Sequence, residues 1–570
     1  MMAAQPALSL LEPLVDDAAT RKARGAFFTP DELTAYICRW ALRSPADRVL
    51  EPSCGEAAFL LAAAQRLDEL QAPPTADQLV GVELHADSAA TARGLVEATG
   101  RPAQISAGDF FEVPGRRSFD AVIGNPPYVR YQDFSGEARA ASRRAALGGG
   151  VSLTALASSW AAFTVHSAEF VRPGGRLGLV LPAELLTVNY AAEVRRYLMR
   201  SFGRVRLILF SQRVFPGVLE EVVLLLAADA AALGGTDRCE LYQLGSAADL
   251  AHRLDDATPQ IWRPTEVSAK WTAALLTDQA RDGYASLLAS GRFVGLQTWG
   301  ETSLGAVTGN NKYFAVSPAE AARLGLRSDE LVALSPPGSR HLRGLSFSTQ
   351  MWRQMGAADS STLLFRPGAD RAAMSPGARA YLAAGEATKV HQAYKCRVRS
   401  PWWRVPLVAV PDLFLTYMNA DTPRLTTNSA RVRHLNSIHG VYLKQDHRQL
   451  GQQLLPLASL NTVTLLGAEL VGRAYGGGML KLEPGEADRL PVPAPELVQQ
   501  VAPQLRRRRP AVLRALRRGQ LLTAAALVDE VLLTEGLGIT EEQLQHLSEA
   551  RQMLSDRRSA RGATSLPVPS

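Results

Sequence analysis

The amino-acid sequence predicts an α/β fold: a mostly parallel, doubly wound Rossmann-like sheet, then an α+β domain and a helical C-terminus. Three observations predict it. Between Gly25 and about Ala230, short apolar runs alternate with amphipathic stretches, the pattern of successive βαβ units. Several of these runs end in a carboxylate or an amide, where open α/β sheets bind their ligands. Beyond Ala231–Thr236 the alternation stops, and turn clusters and aromatics take over.

Residues 1–24 read as a short leader. Asp31–Leu42, Ala57–Leu70 and Ser158–Val171 have the apolar spacing of helices, one face of a 3.6-residue period. Arg48–Leu50, Leu79–Val82, Ala121–Ile123, Leu177–Leu181, Arg204–Phe210 and Glu221–Leu226 are β-rich runs bounded by turn residues. Residues 25–235 are therefore expected as a catalytic domain, 236–494 as an α+β domain, 495–556 as a helical segment and 557–570 as a disordered tail.

A chain of 570 residues, 46% hydrophobic and 21% charged, can bury several cores. Its formal charge of +7 favours a polyanionic partner. The four cysteines form no Cys-x-x-Cys pair, so neither a disulfide framework nor a zinc or other metal site is expected. The N-terminus lacks the basic start and apolar run of a signal peptide, and no apolar stretch is long enough to span a membrane. A reducing, cytoplasmic location is the expectation.

Four motifs carry the chemistry. In Val49-Leu50-Glu51-Pro52-Ser53-Cys54-Gly55-Glu56-Ala57, a strand ends in an acid and a glycine turn opens a helix, which lets the backbone approach a ligand. Val80-Gly81-Val82-Glu83 is a second strand ending in a carboxylate, 28 residues after Gly55, suited to ribose hydroxyls. No Gly-x-Gly-x-x-Gly is present, which points to a nucleoside ligand without phosphate. In Ala107-Gly108-Asp109-Phe110-Phe111, the acid can accept from an exocyclic amino group and the neighbouring ring can stack on a purine.

The fourth motif decides the class: Asp120-Ala121-Val122-Ile123-Gly124-Asn125-Pro126-Pro127-Tyr128. Two adjacent prolines fix φ and remove two donors. The turn then offers acceptors, the Asn125 side-chain oxygen and the Pro126 carbonyl, beside the flat face of Tyr128. Together they form a clamp for a planar amino group.

On these residues the sequence resembles the γ-class N6-adenine DNA methyltransferases of restriction–modification systems, the TaqI-type group. Gly25-Ala26-Phe27-Phe28-Thr29-Pro30 resembles the N-terminal motif beside the methionine end of the cofactor. Glu51, Pro52, Cys54 and Gly55 match the first cofactor motif, Glu83 the ribose acid, and Asp109 with Phe110 the adenine-binding pair. Phe163 matches the aromatic that packs on the cofactor adenine, and Val214-Phe215-Pro216 a later motif whose Phe helps hold the target base. Val180-Leu181-Pro182 matches another.

The resemblance implies a class I S-adenosylmethionine-dependent methyltransferase domain. It implies a clamp of Asn125, Pro126, Pro127 and Tyr128, a flipped adenine held with Phe215, and double-stranded DNA as substrate. It also implies a monomer, with a cognate restriction endonuclease encoded nearby. Methylation of RNA adenine or of a protein glutamine amide is the alternative, because Asn-Pro-Pro-Tyr occurs there too. One departure stands out. The family usually has a second glycine where Ala57 stands, and Ala disfavours positive φ. The turn must either keep φ negative there or change shape.

In the expected DNA reader, Lys395, Arg397, Arg399, Arg404, Arg424, Arg431, Arg433, Lys444 and Arg448 face only Asp412, Asp421 and Asp446. Lys395, Arg397, Arg399, Arg404, Arg431 and Arg433 are the candidates for phosphate contact. Trp402 and Trp403 are expected to pack. Val307–Phe314 and Tyr475–Leu482 also resemble the family's specificity domain and are read as DNA-contacting loops. The run Arg506–Arg509 with Arg514, Arg517 and Arg518 is read as a solvated helix face.

Overall fold

The computed structural model describes residues 29–129, 136–155, 157–210, 214, 221–231, 233–251, 258–264, 266–267, 269–475 and 478–560. The leader, Gly25–Phe28 of the N-terminal motif, Phe215 and Pro216, Gly476 and Gly477, and residues 561–570 of the expected tail lie outside them. The chain divides into two units, Met1–Ala274 and Leu275–Ser570.

The first unit is built on nine strands: β1 (Val49–Glu51), β2 (Leu79–Glu83), β3 (Ala103–Ala107), β4 (Phe119–Gly124), β5 (Val171–Pro182), β6 (Phe202–Phe210), β7 (Val222–Ala230), β8 (Cys239–Leu244) and β9 (Gln260–Trp262). Their order is β3-β2-β1-β4-β5-β7-β6-β8-β9. Strands β1 to β5 run parallel, and β7 runs antiparallel to both β5 and β6. Chain order reverses between β1 and β4, the place where such sheets open a ligand crevice at their carboxyl ends.

Helices α1 (Asp31–Ala41), α2 (Ala58–Glu69) and α3 (Ala86–Glu97) follow the expected periodicity. In α1, Leu33, Ile37 and Ala41 recur every four residues, and in α2 Phe59, Leu60, Ala63, Ala64 and Leu67 make one stripe. Both stripes join a core that includes Val49, Leu79, Ile123 and Val180. Burying each large side chain contributes about 1.5–3 kcal/mol, so the sheet and the crevice above it rest on a rigid floor.

Three features differ from the sequence reading. Strand β3 carries a single buried residue, Ile105, on an edge, so no apolar run announced it. The sheet also continues past the compositional break at 231–236, because β8 pairs in parallel with β6, and β9 pairs antiparallel with β8. The helix read as Ser158–Val171 is α4 (Ser159–Ala168), and Val171 instead opens β5 opposite Phe119.

In the second unit, Gly300–Leu304, Ile438–Leu443, Leu413–Thr416 and Leu425–Thr427 form an antiparallel sheet in that order. Ala315–Val316, Leu363–Phe365 and Leu331–Ala333 form a smaller sheet over a core of Phe314, Phe365 and Trp403. Helices Ala502–Arg517, Leu521–Asp529 and Glu541–Ala560 follow. The last runs through Arg557–Ala560, residues read from the sequence as tail. Its Arg558 is 3% exposed, ion-paired to Glu469 at 2.8 Å and donating to the carbonyls of Ala420, Asp421 and Gly478. No single helix among the described residues is long and apolar enough to cross a membrane.

Candidate active site

The parallel strands bring the predicted acids into one row. Glu51 ends β1, Glu83 ends β2, Asp109 follows β3 by two residues, and Asn125 directly follows β4. Since β3, β2, β1 and β4 are neighbours in that order, all four lie at adjacent carboxyl ends.

Glu51 is buried and accepts from the Leu60 N–H at 3.1 Å, which ties β1 to α2. Burial raises its carboxyl well above the usual carboxylate range, and the nearby charge of Glu83 adds to the rise. Glu83 Oε2 accepts from the Gly55 N–H at 2.9 Å, and Oε1 accepts from the His85 N–H at 3.1 Å. This acid therefore holds the glycine turn in place. Cys54 is buried beneath the turn, and burial pushes its thiol up, so it is a packing residue rather than a nucleophile.

Gly55 has φ +48, and a Cβ there would meet nothing within 4 Å, so the backbone faces open space. Ala57 has φ 65 and ψ 29. The turn therefore keeps the left-handed shape that a glycine would favour, and Ala carries the strain, on the order of 1–2 kcal/mol. Ser53 was not singled out in the sequence. Its hydroxyl is buried in this turn with no hydrogen-bond partner among the described residues. A buried orphan hydroxyl costs about 1–3 kcal/mol, which a polar ligand group could recover. The three carboxylates, the open backbone at Gly55 and this hydroxyl together fit a nucleoside with free ribose hydroxyls and an amino group.

Asp109 Oδ1 accepts from the Phe111 N–H at 2.9 Å and starts a short 3-10 turn, Phe110–Glu112. Phe110 stacks on Phe163 with centroids 5.5 Å apart, and both are buried. Phe111, part of the motif but given no role of its own in it, meets Phe163 edge-on at 4.6 Å and is only half-buried. It is the ring of this cluster best placed to meet a ligand, and its position next to Phe110 was the only signal. Burial keeps the His166 imidazole below its ordinary value, and its Nε2 lies 3.1 Å from the carbonyls of Phe110 and Val113.

At the end of β4 the Asn125 carboxamide is held at both ends. Its Nδ2 donates to Thr29 Oγ1 at 3.2 Å, and its Oδ1 lies 2.8 Å from the Tyr128 hydroxyl. That hydroxyl is also 2.9 Å from the Val180 carbonyl. The neighbouring Pro30 caps α1, its carbonyl accepting from Leu33 and Thr34. Pro52 and Pro126 are buried, while Pro127 is half-buried and its carbonyl accepts from Ser159 Oγ, which in turn accepts from the Val129 N–H at 2.9 Å. Ser159 thus clamps the far side of the Pro-Pro turn. The Pro126 carbonyl has no partner among the described residues.

Of the predicted DNA contacts, Lys395 and Arg397 lie exposed on the turn Tyr394–Arg397, and Arg431 is also exposed. Arg399 donates to the carbonyls of Lys395, Val307 and Thr308 and lies over Phe314, so it supports its own fold. Trp403 is buried and donates to the Gly368 carbonyl, with Trp402 packed edge-on against it. Val307–Phe314 is a packed turn and short helix: Asn310 caps Asn311–Phe314, and Tyr313 stacks on Tyr381. Among the arginines at 506–518, Arg506 and Arg507 are exposed, while Arg508 pairs with Glu530.

Residues 10–236 match the N-6 DNA Methylase family, and residues 268–533 match the C-terminal domain of the type II methyltransferase M.Eco57I. The type II methyltransferase M.XamI of Xanthomonas campestris pv. amaranthicola is 26% identical over 83% of this chain and 85% of its own length. M.AccI of Acinetobacter calcoaceticus is 21% identical over 82% and 85%. In structure, the chain resembles the type IIL restriction-modification enzyme MmeI, solved with DNA, at 11% identity and a TM-score of 0.57 over 96% of this chain and 80% of that one. This likeness shows a shared fold. A row of acids at the ends of β1 to β3 beside an Asn-Pro-Pro-Tyr turn thus sits within the matched catalytic family, and the chain belongs to the N-6 DNA methylases of the type II methyltransferase kind.

Proposed function

We propose that this DNA methyltransferase transfers a methyl group from S-adenosylmethionine to N6 of an adenine flipped out of double-stranded DNA, at one short recognition sequence. The observation that carries the reading is the Asn125 carboxamide, fixed by Thr29 and Tyr128, beside the free carbonyl of Pro126. A carboxamide oxygen has two lone pairs, so Oδ1 can keep Tyr128 and still accept from an amino group. The Pro126 carbonyl accepts the second N6 hydrogen.

Bound S-adenosylmethionine supplies an electrophilic methyl group. Adenine N6 is a poor nucleophile because its lone pair is delocalised into the ring. Acceptors at Asn125 and Pro126 favour the pyramidal nitrogen that frees the pair, and they bind more tightly as positive charge develops there. Transfer is direct, with no covalent intermediate on the protein. Glu83 and Asp109 hold the ribose and the adenine amino group, and Glu51 braces the turn from below. Flipping the target costs a few kcal/mol. Stacking on Tyr128, and on Phe215 outside the described residues, offsets roughly 1–3 kcal/mol per ring.

The second unit reads the DNA sequence in this proposal. The chain acts as a cytoplasmic monomer that protects DNA from a partner endonuclease. The test is single-molecule sequencing of DNA from a methylation-deficient host that expresses the protein, beside an Asn125→Ala control. N6-methyladenine at one motif, absent in the control, supports the reading. A soluble protein that binds S-adenosylmethionine but leaves DNA unmodified would overturn it in favour of RNA or protein amide substrates.

A further inference from the structure

The second unit gathers three arginines with no carboxylate among them. Arg366 follows the strand Leu363–Phe365, and its Nε donates to the Val405 carbonyl at 2.8 Å. Arg404 Nη1 donates to the Pro367 carbonyl at 2.5 Å, so the 366–367 and 404–405 segments are laced together from both sides. Arg433, paired beside Leu334, donates through Nε to the Val408 carbonyl at 3.0 Å. The Tyr442 hydroxyl donates to the next carbonyl, Ala409, at 2.9 Å. The stretch Val405–Ala409 therefore receives two guanidiniums and a phenol, and Arg404, which precedes it, reaches back to the residue after Arg366.

Other arginines of this unit are neutralised. Arg371 pairs with Glu386, Arg424 with Asp421 and Arg448 with Asp412. Arg366, Arg404 and Arg433 are half-buried and take part in no ion pair among the described residues. Burial first, and then the charges of Arg404 and Arg433, loosen the proton on Arg366. Asp412, whose charge reaches Tyr442, is already engaged by Arg448, Gln452 and the Leu443 N–H.

Three like charges held together in partial burial repel one another, and an anion would relieve that repulsion. Each guanidinium has five N–H donors and spends one on the backbone, which fixes its position and leaves the others free. Fixed forks with free donors suit the paired oxygens of a phosphodiester. Pro406 and Ala409 are exposed on the same stretch, so a long polymer can approach it.

We propose that Arg366, Arg404 and Arg433 form a clamp for one backbone phosphate of duplex DNA. The proposal rests on the DNA-methylating function above. It adds Arg366, which lies outside the basic stretch seen in the sequence and reaches it only through the fold. The clamp reads no bases; it sets the position of the duplex on this unit.

The test uses the full chain with Arg366→Gln and Arg433→Gln, singly and together. Binding is measured over a range of salt concentrations, on a short duplex holding the target sequence and on a scrambled one. The expected result is a Kd raised by the same factor on both duplexes, with the slope of log affinity against log salt shallower by about 0.9 for the lost phosphate contact. S-adenosylmethionine binding and the melting curve report folding. If the double variant melts early, the single variant that melts as the wild type decides. A double variant with unchanged affinity and slope overturns the clamp alone, and so does a loss confined to the target duplex. A wild-type chain that fails to bind any duplex overturns the DNA reading, and the clamp falls with it.

Discussion

The Tyr128 hydroxyl lies 2.8 Å from Oδ1 of Asn125, so the stacking ring and the carboxamide of one turn hold each other. The two roles can be separated. Tyr128→Phe keeps the ring and releases Oδ1, a loss on the scale of one hydrogen bond, about 0.5–1.5 kcal/mol. Steady-state kinetics should show it mainly in kcat, two- to tenfold by that energy. Tyr128→Ala also removes the ring, and should weaken binding of a duplex with the target base unpaired by roughly 1–3 kcal/mol more. Equal effects of the two variants would deny the ring any part in holding the base.

Ala57 sits at φ 65, and its side chain is fully buried. Ala57→Gly removes strain of about 1–2 kcal/mol but loses a buried methyl worth about 0.8 kcal/mol and adds backbone entropy to the unfolded chain. The near cancellation predicts a change within about 1 kcal/mol in urea unfolding. Ala57→Val puts a branched residue in the same left-handed turn, with no relief of strain, and should cost more than 2 kcal/mol.

Asp529 is buried, and it accepts from the backbone and hydroxyl of Thr462 at 2.8 and 2.7 Å. Burial raises its carboxyl from the ordinary value to about 6. A raised acid binds its proton more tightly when folded, so its stabilising effect is present at pH 4 and lost as the pH rises through 6. Asp529→Asn has no such loss. The stability of the variant relative to the wild type should therefore improve by about 2 kcal/mol between pH 4 and pH 7, read from paired urea titrations at the two pH values. A difference that does not vary with pH would exclude this titration.

Arg558→Ala would leave Glu469 buried without its partner. Breaking a buried pair on one side costs about 3–5 kcal/mol, and the early loss of the second unit should appear in thermal melts. Arg558→Lys should recover only part, because one ammonium cannot reach the carbonyls of Ala420, Asp421 and Gly478 together.

The catalytic half was legible because its chemistry is local in sequence. Asn125 and Tyr128 stand three residues apart on a turn whose prolines set its course, and Glu51 and Glu83 each end an apolar run of their own. Strand β3 was silent because an edge strand with one buried side chain leaves no periodicity. Thr29 and Asn125 meet across 96 residues, and Ser53 shows its missing partner only once the turn is folded. In the second unit the basic excess was visible from the sequence. Which arginines are neutralised was not, because Arg448–Asp412 and Arg371–Glu386 are pairings made by tertiary structure.

The ties of Arg558 to Ala420, Asp421, Glu469 and Gly478 also order events in time. During synthesis, the first unit has all of its strands long before the ribosome reaches this residue. At roughly 5–20 residues per second, the stretch from Gly478 to Arg558 takes several seconds to make. Throughout that interval a finished catalytic sheet is tethered to a second unit that still lacks its last brace. A nascent chain at this stage has every strand of its first unit but not the last tertiary tie of its second, and that tie is deferred until translation has passed Arg558.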